Sequence, residues 1–399
     1  MTMDTVIGGP AVYSGRALFS PRATWVAGAL EVNAALEAGV DSLAGARVSV
    51  AELTMRLALA DWGALTLGRF LYKPGTALLF SNVDYFTSLD LGRLLSEGVS
   101  APGRPDDMVQ LRLFGGLWHA SATFAPWRPR SDPTPTASPW FPRGGIKDSF
   151  QVLTTTYTLR NLSWRDDSAD PWPVIDPAVE LETGFVLGPL DLSLSWFDGP
   201  DRESAVIGQI TMPVSPWGVY DITLQEVSSR INREGLAASV QAGDFRAWGD
   251  TSLFQGKLLQ SGDLYSAVDG WLTGTRAKDG LDLTVGLSYT PPWPNSLVGL
   301  ECRYSWYAGD VTGLTFPLLS RVVAAEVTSS LFGETVAVSV IGLCSLDDRS
   351  WAFLPSVWLS LGPDRTLQFW VPLLFGPTGS EPGQYAPLAL LMTSFRVRY

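Results

Sequence analysis

The chain of 399 residues is short of charge, cysteine and histidine, and it contains no long apolar run. Charged residues make up 17% of it and hydrophobic residues 46%, whereas an average soluble protein is roughly a quarter charged. This scarcity argues against an ordinary cytosolic enzyme. A single histidine, His119, leaves little room for imidazole-based metal or acid–base chemistry, and neither a metal nor a cofactor is expected. The two cysteines, Cys302 and Cys344, lie in alternating apolar stretches and read as small apolar side chains, not as a disulfide framework or zinc site. Lysine occurs only at Lys73, Lys147, Lys257 and Lys278, and the net charge is −12. No basic cluster is present to hold phosphates, so a nucleic-acid partner is not expected. Polar residues, Gly or Pro interrupt every apolar run before the ~18 residues that a membrane-spanning helix needs. Residues 1–21 lack a charged segment followed by an apolar one, so no signal peptide is expected; an exported protein would then be a mature form.

What is abundant is aromatic residues (16 Trp, 11 Tyr, 18 Phe) and turn-forming residues (39 Gly, 28 Pro). The length alone would allow two or three soluble domains or one long all-β unit. Period-two alternation decides between them. Leu281, Leu283, Val285, Leu287 and Tyr289 share one face of a strand, with Asp282, Thr284, Gly286 and Ser288 on the other. The same pattern holds for Leu190–Trp196, Val298–Trp306 and Val179–Leu187. Alternation also occurs in soluble sandwiches. Here, however, the polar face is rich in Ser, Thr and Gly, the apolar face often ends in Trp, Tyr or Phe, and no helical-period segment intervenes. Those features predict a transmembrane antiparallel β-barrel with aromatic rims.

Nineteen strand-like segments can be marked, among them 25–36, 149–161, 204–212, 219–228 and 265–274, with 162–177 and 247–262 as the weakest stretches. Single-chain barrels of this kind have even strand numbers, so about 18 strands are expected, with 16 and 20 as neighbours. The expected organisation is an N-terminal extension over 1–23 and one barrel over 24–399, with long loops near 73–106, 125–147 and 376–387. Pro126–Pro142 contains six prolines and must be a loop, because proline cannot donate to a sheet ladder. The semi-apolar segment 78–95 is expected to fold into the lumen or form a short helix.

Three local patterns carry more specific information. At the C-terminus Phe395, Val397 and Tyr399 alternate with Ser394, Arg396 and Arg398. This resembles the terminal signal by which bacterial outer-membrane barrels are recognised for assembly, and it implies barrel-assembly machinery and outer-membrane lipid as partners. Leu65-Thr66-Leu67-Gly68-Arg69-Phe70 followed by Ser81-Asn82-Val83-Asp84-Tyr85-Phe86 resembles a strand-and-loop motif of porin-like families, including alginate-export and capsule-assembly barrels. In those families the arginine points into the lumen. Arg69 has the parity of Leu65 and Leu67, so either a bulge at Gly68 or an apolar lumen patch would be required, or Arg69 is a strand-end arginine. His119-Ala120-Ser121 resembles the His and Ser spacing of outer-membrane phospholipases and lipid A deacylases. Its parity places both side chains inward, away from lipid, so no catalytic residue is expected.

Inward charges are expected at Arg56, Arg112, Arg160, Glu180, Glu182, Asp191, Asp282, Glu301, Arg303, Arg396 and Arg398 as lumen-lining residues. Asp221 and Glu326 belong to the same inward set, in which the two signs nearly balance. Trp172, Trp196, Trp217, Trp293 and Trp306 are expected at membrane interfaces. The expected activity is diffusion or facilitated passage of small polar solutes in the bacterial outer membrane, with no enzymatic step. The alternatives are a soluble all-β carbohydrate-binding protein and a non-conducting outer-membrane barrel serving as an adhesin or structural component.

Overall fold

The computed structural model describes residues 2–7, 15–19, 21–41, 45–72, 75, 77, 79–86, 105–127, 149–152, 155–165, 175–201, 205–212, 218–261, 274–315, 320–332, 334–362, 365–377 and 391–397. The first strands are β1 (Thr2–Ile7), β2 (Gly15–Phe19), β3 (Arg22–Ala27), β4 (Leu30–Asp41), β5 (Gly45–Ala60), β6 (Gly63–Phe70), β7 (Asp106–Phe114) and β8 (Trp118–Ala125). The middle of the chain supplies β9 (Ser149–Val152), β10 (Thr155–Trp164), β11 (Ala178–Leu187), β12 (Leu190–Pro200), β13 (Ala205–Thr211), β14 (Val219–Val227), β15 (Arg230–Ala242) and β16 (Phe245–Ser261). The rest are β17 (Gly274–Tyr289), β18 (Leu297–Tyr307), β19 (Leu314–Thr315), β20 (Arg321–Leu331), β21 (Val336–Ser345), β22 (Trp351–Ser360), β23 (Arg365–Trp370), β24 (Leu373–Phe375) and β25 (Leu391–Val397).

The hydrogen-bonded ladders form a circuit. From β1 it runs through β2 and β3 to β4, then β5, β6, β7, β8, β11, β12 and β15. It continues through β16, β17, β18, β20, β21, β22, β23 with β24, and β25. β25 then pairs with β1, Met3 opposite Phe395, and the wall returns to its start. β2 and β3 occupy one wall position against β4, and β23 and β24 one against β22, so the described residues form eighteen positions, all antiparallel. This agrees with the expected strand number. Closure pairs the first strand with the last, while β3 and β24 each have one partner among the described residues.

Residues opposite each other in a ladder share a face, so the registers sort the wall into inner and outer rows. One outer row runs Leu57, Leu65, Leu111, Ala122, Leu181 and Trp196. The adjacent inner row runs Arg56, Thr66, Gln110, Thr123, Glu180 and Phe197. Outward apolar side chains such as Leu194, Leu253, Leu283 and Val285 are exposed, while inward Glu180, Asp250, Asp282, Thr284 and Ser305 are buried. This protein is therefore apolar on its outside and polar within. Trp62 and Trp118 stand exposed at one end of the outer face, and Trp196, Trp306 and Trp351 towards the other. Trp293 is also exposed, whereas Trp172 and Trp217 lie outside the described residues.

Short turns join strands at one end, at Gly28-Ala29, Asp61-Trp62, Gly115–Leu117, Gly188-Pro189 and Gly243-Asp244, and short links also join β4 to β5 and β21 to β22 at the other. The opposite end carries the long connections, including 71–105 and 126–177. Two of them contribute β9, β10, β13 and β14 to a separate four-stranded sheet. Its central pair, β10 and β14, is parallel, and Tyr220, Ile222 and Leu224 form its core with Tyr157, Leu159 and Trp164.

Four expectations need correction. Residues 1–23, expected as an extension, contain β1 and β2, which belong to the wall and close it; their short segments carry few large apolar residues to announce them. Segments 149–161, 204–212 and 219–228 are strands, but of the smaller sheet, because alternation reports a half-buried sheet without saying which one. Segment 25–36 is two strands joined at Gly28, whose φ of 61° is readily adopted by glycine. The weak stretch 247–262 contains most of β16, which inverts the usual pattern: Trp248 and Phe254 are buried inside, and Ala247, Gly249 and Thr251 take the outer positions. The segment 265–274 lies outside the described residues except for Gly274, which begins β17.

Candidate functional site

The described part of the long connection after β6 folds into the barrel. Phe80, Asn82, Val83, Tyr85 and Phe86 are all buried, and their partners come from distant strands of the wall. Backbone groups removed from water need new partners, and wall carboxylates supply several. Glu301 Oε1 on β18 accepts the backbone N–H of Phe80 at 2.7 Å and of Leu79 at 3.3 Å. Its Oε2 accepts the Trp248 indole N–H at 3.0 Å. Asp250 Oδ1 on β16 accepts the Asn82 N–H at 3.2 Å, while the Asn82 amide donates to Thr284 Oγ1 on β17 at 2.9 Å. The Tyr85 hydroxyl shares a hydrogen bond with Ser195 Oγ on β12 at 2.9 Å. Preceding the segment, the Tyr72 hydroxyl donates to Glu182 Oε2 on β11 at 2.9 Å.

Apolar packing completes the seat. Val83, Tyr85 and Phe86 cluster with Tyr72, Met108, Phe197 and Ile231. The Tyr85 and Phe197 rings lie 5.0 Å apart, and Phe86 meets Phe197 edge-on at 5.5 Å. Glycine permits the closest approaches. A Cβ on Gly286 would lie 2.3 Å from the Trp248 ring, and one on Gly235 the same distance from the Tyr85 hydroxyl. The expected inward fold of 78–95 is met over the described residues 79–86; the rest of that segment lies outside them.

The remaining inner charges fall into two groups. Asp282 lies between Arg233, 3.3 Å away, and Arg303, 3.8 Å away, and also accepts a hydrogen bond from Ser305. Arg233 additionally faces the rings of Tyr85 and Phe254. Glu180 is fully buried, and neither carboxyl oxygen has a hydrogen-bond donor among the described residues. In contrast, Arg56 and Arg112 occupy inner positions yet are exposed. Arg112 stacks over the Tyr72 ring at 5.7 Å, and neither arginine makes an ion pair among the described residues. Asp191 occupies an inner, half-buried position opposite Ser239.

Two further sites differ from the sequence expectation. Arg160 is on β10 of the smaller sheet, where it forks onto Asp221; neither belongs to the barrel wall. Arg69 keeps the unbroken register of its strand, opposite Leu53 and Asp107, and bonds Asp107 at 2.8 Å. It is a strand-end arginine on the outer face, despite the φ of 118° at Gly68. His119 and Ser121 are both on the inner face, as their parity indicates. Ser121 bonds Glu182 and Tyr72, and the His119 ring lies over Gly184. Phe395, Arg396 and Val397 fall on β25 opposite Leu367, Thr366 and Arg365, while Arg398 and Tyr399 lie outside the described residues. The residues that sequence reasoning did not single out are Tyr72, Arg233, Trp248 and Asp250. Tyr85 and Asn82 were visible as parts of the 81–86 motif.

No family model matches the chain, and no curated protein matches it. Solved structures do. OccAB1 of Acinetobacter baumannii aligns with a TM-score of 0.50 at 9% identity, over 99% of this chain and 93% of that one. OmpF of Salmonella typhi, solved in complex with daunomycin, aligns at 0.43 and 8% identity over 99% and 94%. A mutant of the Rh. blastica porin aligns at 0.42 and 11% identity over 100% and 97%. At such identities the likeness is one of fold alone.

Proposed function

We propose that the protein is a porin-like channel of the bacterial outer membrane that passes small polar solutes. The observation that carries this reading is a closed barrel of eighteen wall positions, apolar outside and polar inside, with a segment of its own chain seated in the lumen. Barrels of about 16–18 strands are too wide to be filled by wall side chains and leave an aqueous channel. Segment 79–86 narrows that channel on the side of β12 and β16–β18. The outer face supplies an apolar band with aromatic residues towards both ends, the arrangement that matches a bilayer. A soluble carbohydrate-binding protein would not turn Leu283, Val285 and Leu287 to solvent in one strand.

Arg56, Arg112 and Asp191 face the channel in this reading, while Glu182, Asp282, Glu301 and Arg303 are buried on the inner wall, Glu182 and Glu301 also fixing the segment. The C-terminal pattern at 395–399 addresses the chain to barrel-assembly machinery. Planar-bilayer recording with the pure, refolded protein tests the channel. Stepwise currents are expected, and their absence from protein shown to be inserted would favour a non-conducting barrel.

A further inference from the structure

The four-stranded sheet outside the barrel and the segment seated inside it are linked through a buried side chain, Arg233 on β15. Its Nη1 donates to Asp282 Oδ2 on β17 at 3.3 Å, which fixes it to the wall. Its Nη2 lies 3.8 Å from Asp201 Oδ1, the looser of the two ion pairs. The guanidinium carbon stands 5.9 Å from the centre of the Tyr85 ring and 5.6 Å from that of Phe254. A planar guanidinium can bind carboxylates at its edge and rings on its faces, whereas an ammonium is a point charge that cannot hold both sets. Arg233 therefore touches the wall, the segment and Asp201 at once.

Asp201 is the root of the outer sheet. It is buried, follows the end of β12 at Pro200, and is separated from β13 by residues 202–204. Its N–H donates to the Ser229 carbonyl at 2.8 Å, so the connection that carries β13 and β14 closes on itself there. A second hold comes from Gln260 on β16, whose amide donates to the Val206 carbonyl on β13 at 2.6 Å. A sheet with its own core, held to the barrel by such bonds, can shift as a cooperative unit. Inside the lumen, Tyr85 bonds Ser195 and packs against Phe197 and Arg233. We propose that Arg233 is a positioning residue that couples the outer sheet to the bore: when Asp201 moves with the sheet, the guanidinium pivots about Asp282, leaves the Tyr85 ring and loosens the seated segment. The inference adds a regulated element to the channel reading and rests on it only for the effect on conduction.

Hydrogen-exchange mass spectrometry of micelle-refolded protein reads the coupling in the amides of residues 79–86. Tyr220→Ala, which empties the core of the outer sheet, is expected to speed that exchange about tenfold, the scale of a lost, desolvated cation–π contact. In a D201N background the same substitution should change it by less than about twofold, because the two positions act through one link. R233K, which keeps the charge but not the fork and the flat faces, should speed exchange at 79–86 as much while leaving β17 and β18 protected. Unchanged exchange at 79–86 while β10 and β14 exchange freely would overturn the coupling. So would an equal effect of Tyr220→Ala with and without Asp201. Should Tyr220→Ala leave the sheet intact, replacing residues 202–228 with a glycine–serine linker removes it outright, and the same two outcomes decide. Planar-bilayer recording of these variants should show open-channel noise rising with the exchange. Noise that does not follow the exchange would overturn the regulation of conduction. Silence in every variant would sink the channel reading and leave the coupling to the exchange data.

Discussion

At the residue scale, Glu301 holds the most. It accepts two backbone N–H groups of the seated segment and the Trp248 indole, so removing its carboxylate strands three donors at once. Glu301→Ala is expected to destabilise the seat by about 2–3 kcal/mol, the cost of leaving buried donors unpaired. Single-channel recording should show a larger and noisier conductance; an unchanged trace would mean that the apolar cluster alone seats the segment. Gly286→Ala attacks the same point indirectly, because its Cβ would displace the Trp248 ring that reaches Glu301. Its expected effect is a milder version of the same noise, accompanied by altered tryptophan fluorescence. Asp282, Glu301 and Arg303 were legible as inward residues because each stands at an odd step in a clear alternating strand. Asp250 was not, because β16 puts its bulky groups inside and small ones outside, which erases the contrast that alternation depends on.

Among the elements, the four-stranded sheet is the least expected. Its strands alternate as wall strands do, and nothing in 149–161 or 219–228 announces that β10 and β14 will pair in parallel, since their partnership joins two connections far apart in sequence. Having its own core, this sheet should loosen independently of the barrel. Tyr220 is fully buried there, and Tyr220→Ala is expected to cost about 3–5 kcal/mol, typical of an emptied aromatic site. Limited proteolysis should then cut between β9 and β14 while the barrel still migrates as a folded species on unheated gels. The Arg160 guanidinium holds the half-buried Asp221 carboxyl below the ordinary carboxylate range. A carboxyl lowered in the folded state stabilises it above the unfolded value, and that contribution disappears as pH falls through the lowered one. Hydrogen-exchange protection of β10 and β14, corrected for intrinsic rates, should therefore decline below about pH 4. Asp221→Asn should flatten this decline; an identical pH profile in that variant would assign it to another group.

For the whole molecule, the decisive property is the exchange of inside and outside. The barrel was legible because outward apolar residues recur at every second position in wall strands such as β11, β12, β17 and β18, and the strand number followed from chain length. The seam was not, because pairing of β1 with β25 depends on contacts between opposite ends of the sequence. If the outer face meets hydrocarbon, charge there must be costly. Leu283→Arg, midway along β17 on the outer face, is expected to destabilise the refolded barrel in lipid by about 2–4 kcal/mol. Substituting the exposed Trp293 in the turn-side connection with Arg should cost far less. Denaturant titration in liposomes compares the two, and equal costs would contradict a membrane-embedded belt.

The seated segment has a mechanical consequence as well. A ring of ladders couples each strand only to its neighbours, so it resists stretching along its circumference but yields easily to flattening into an ellipse. Residues 79–86 are anchored at Ser195, Asp250, Thr284 and Glu301, which lie on four different strands. The segment therefore acts as a brace across one arc of the hoop, stiffening that side and leaving the arc of β3–β5 as the compliant one.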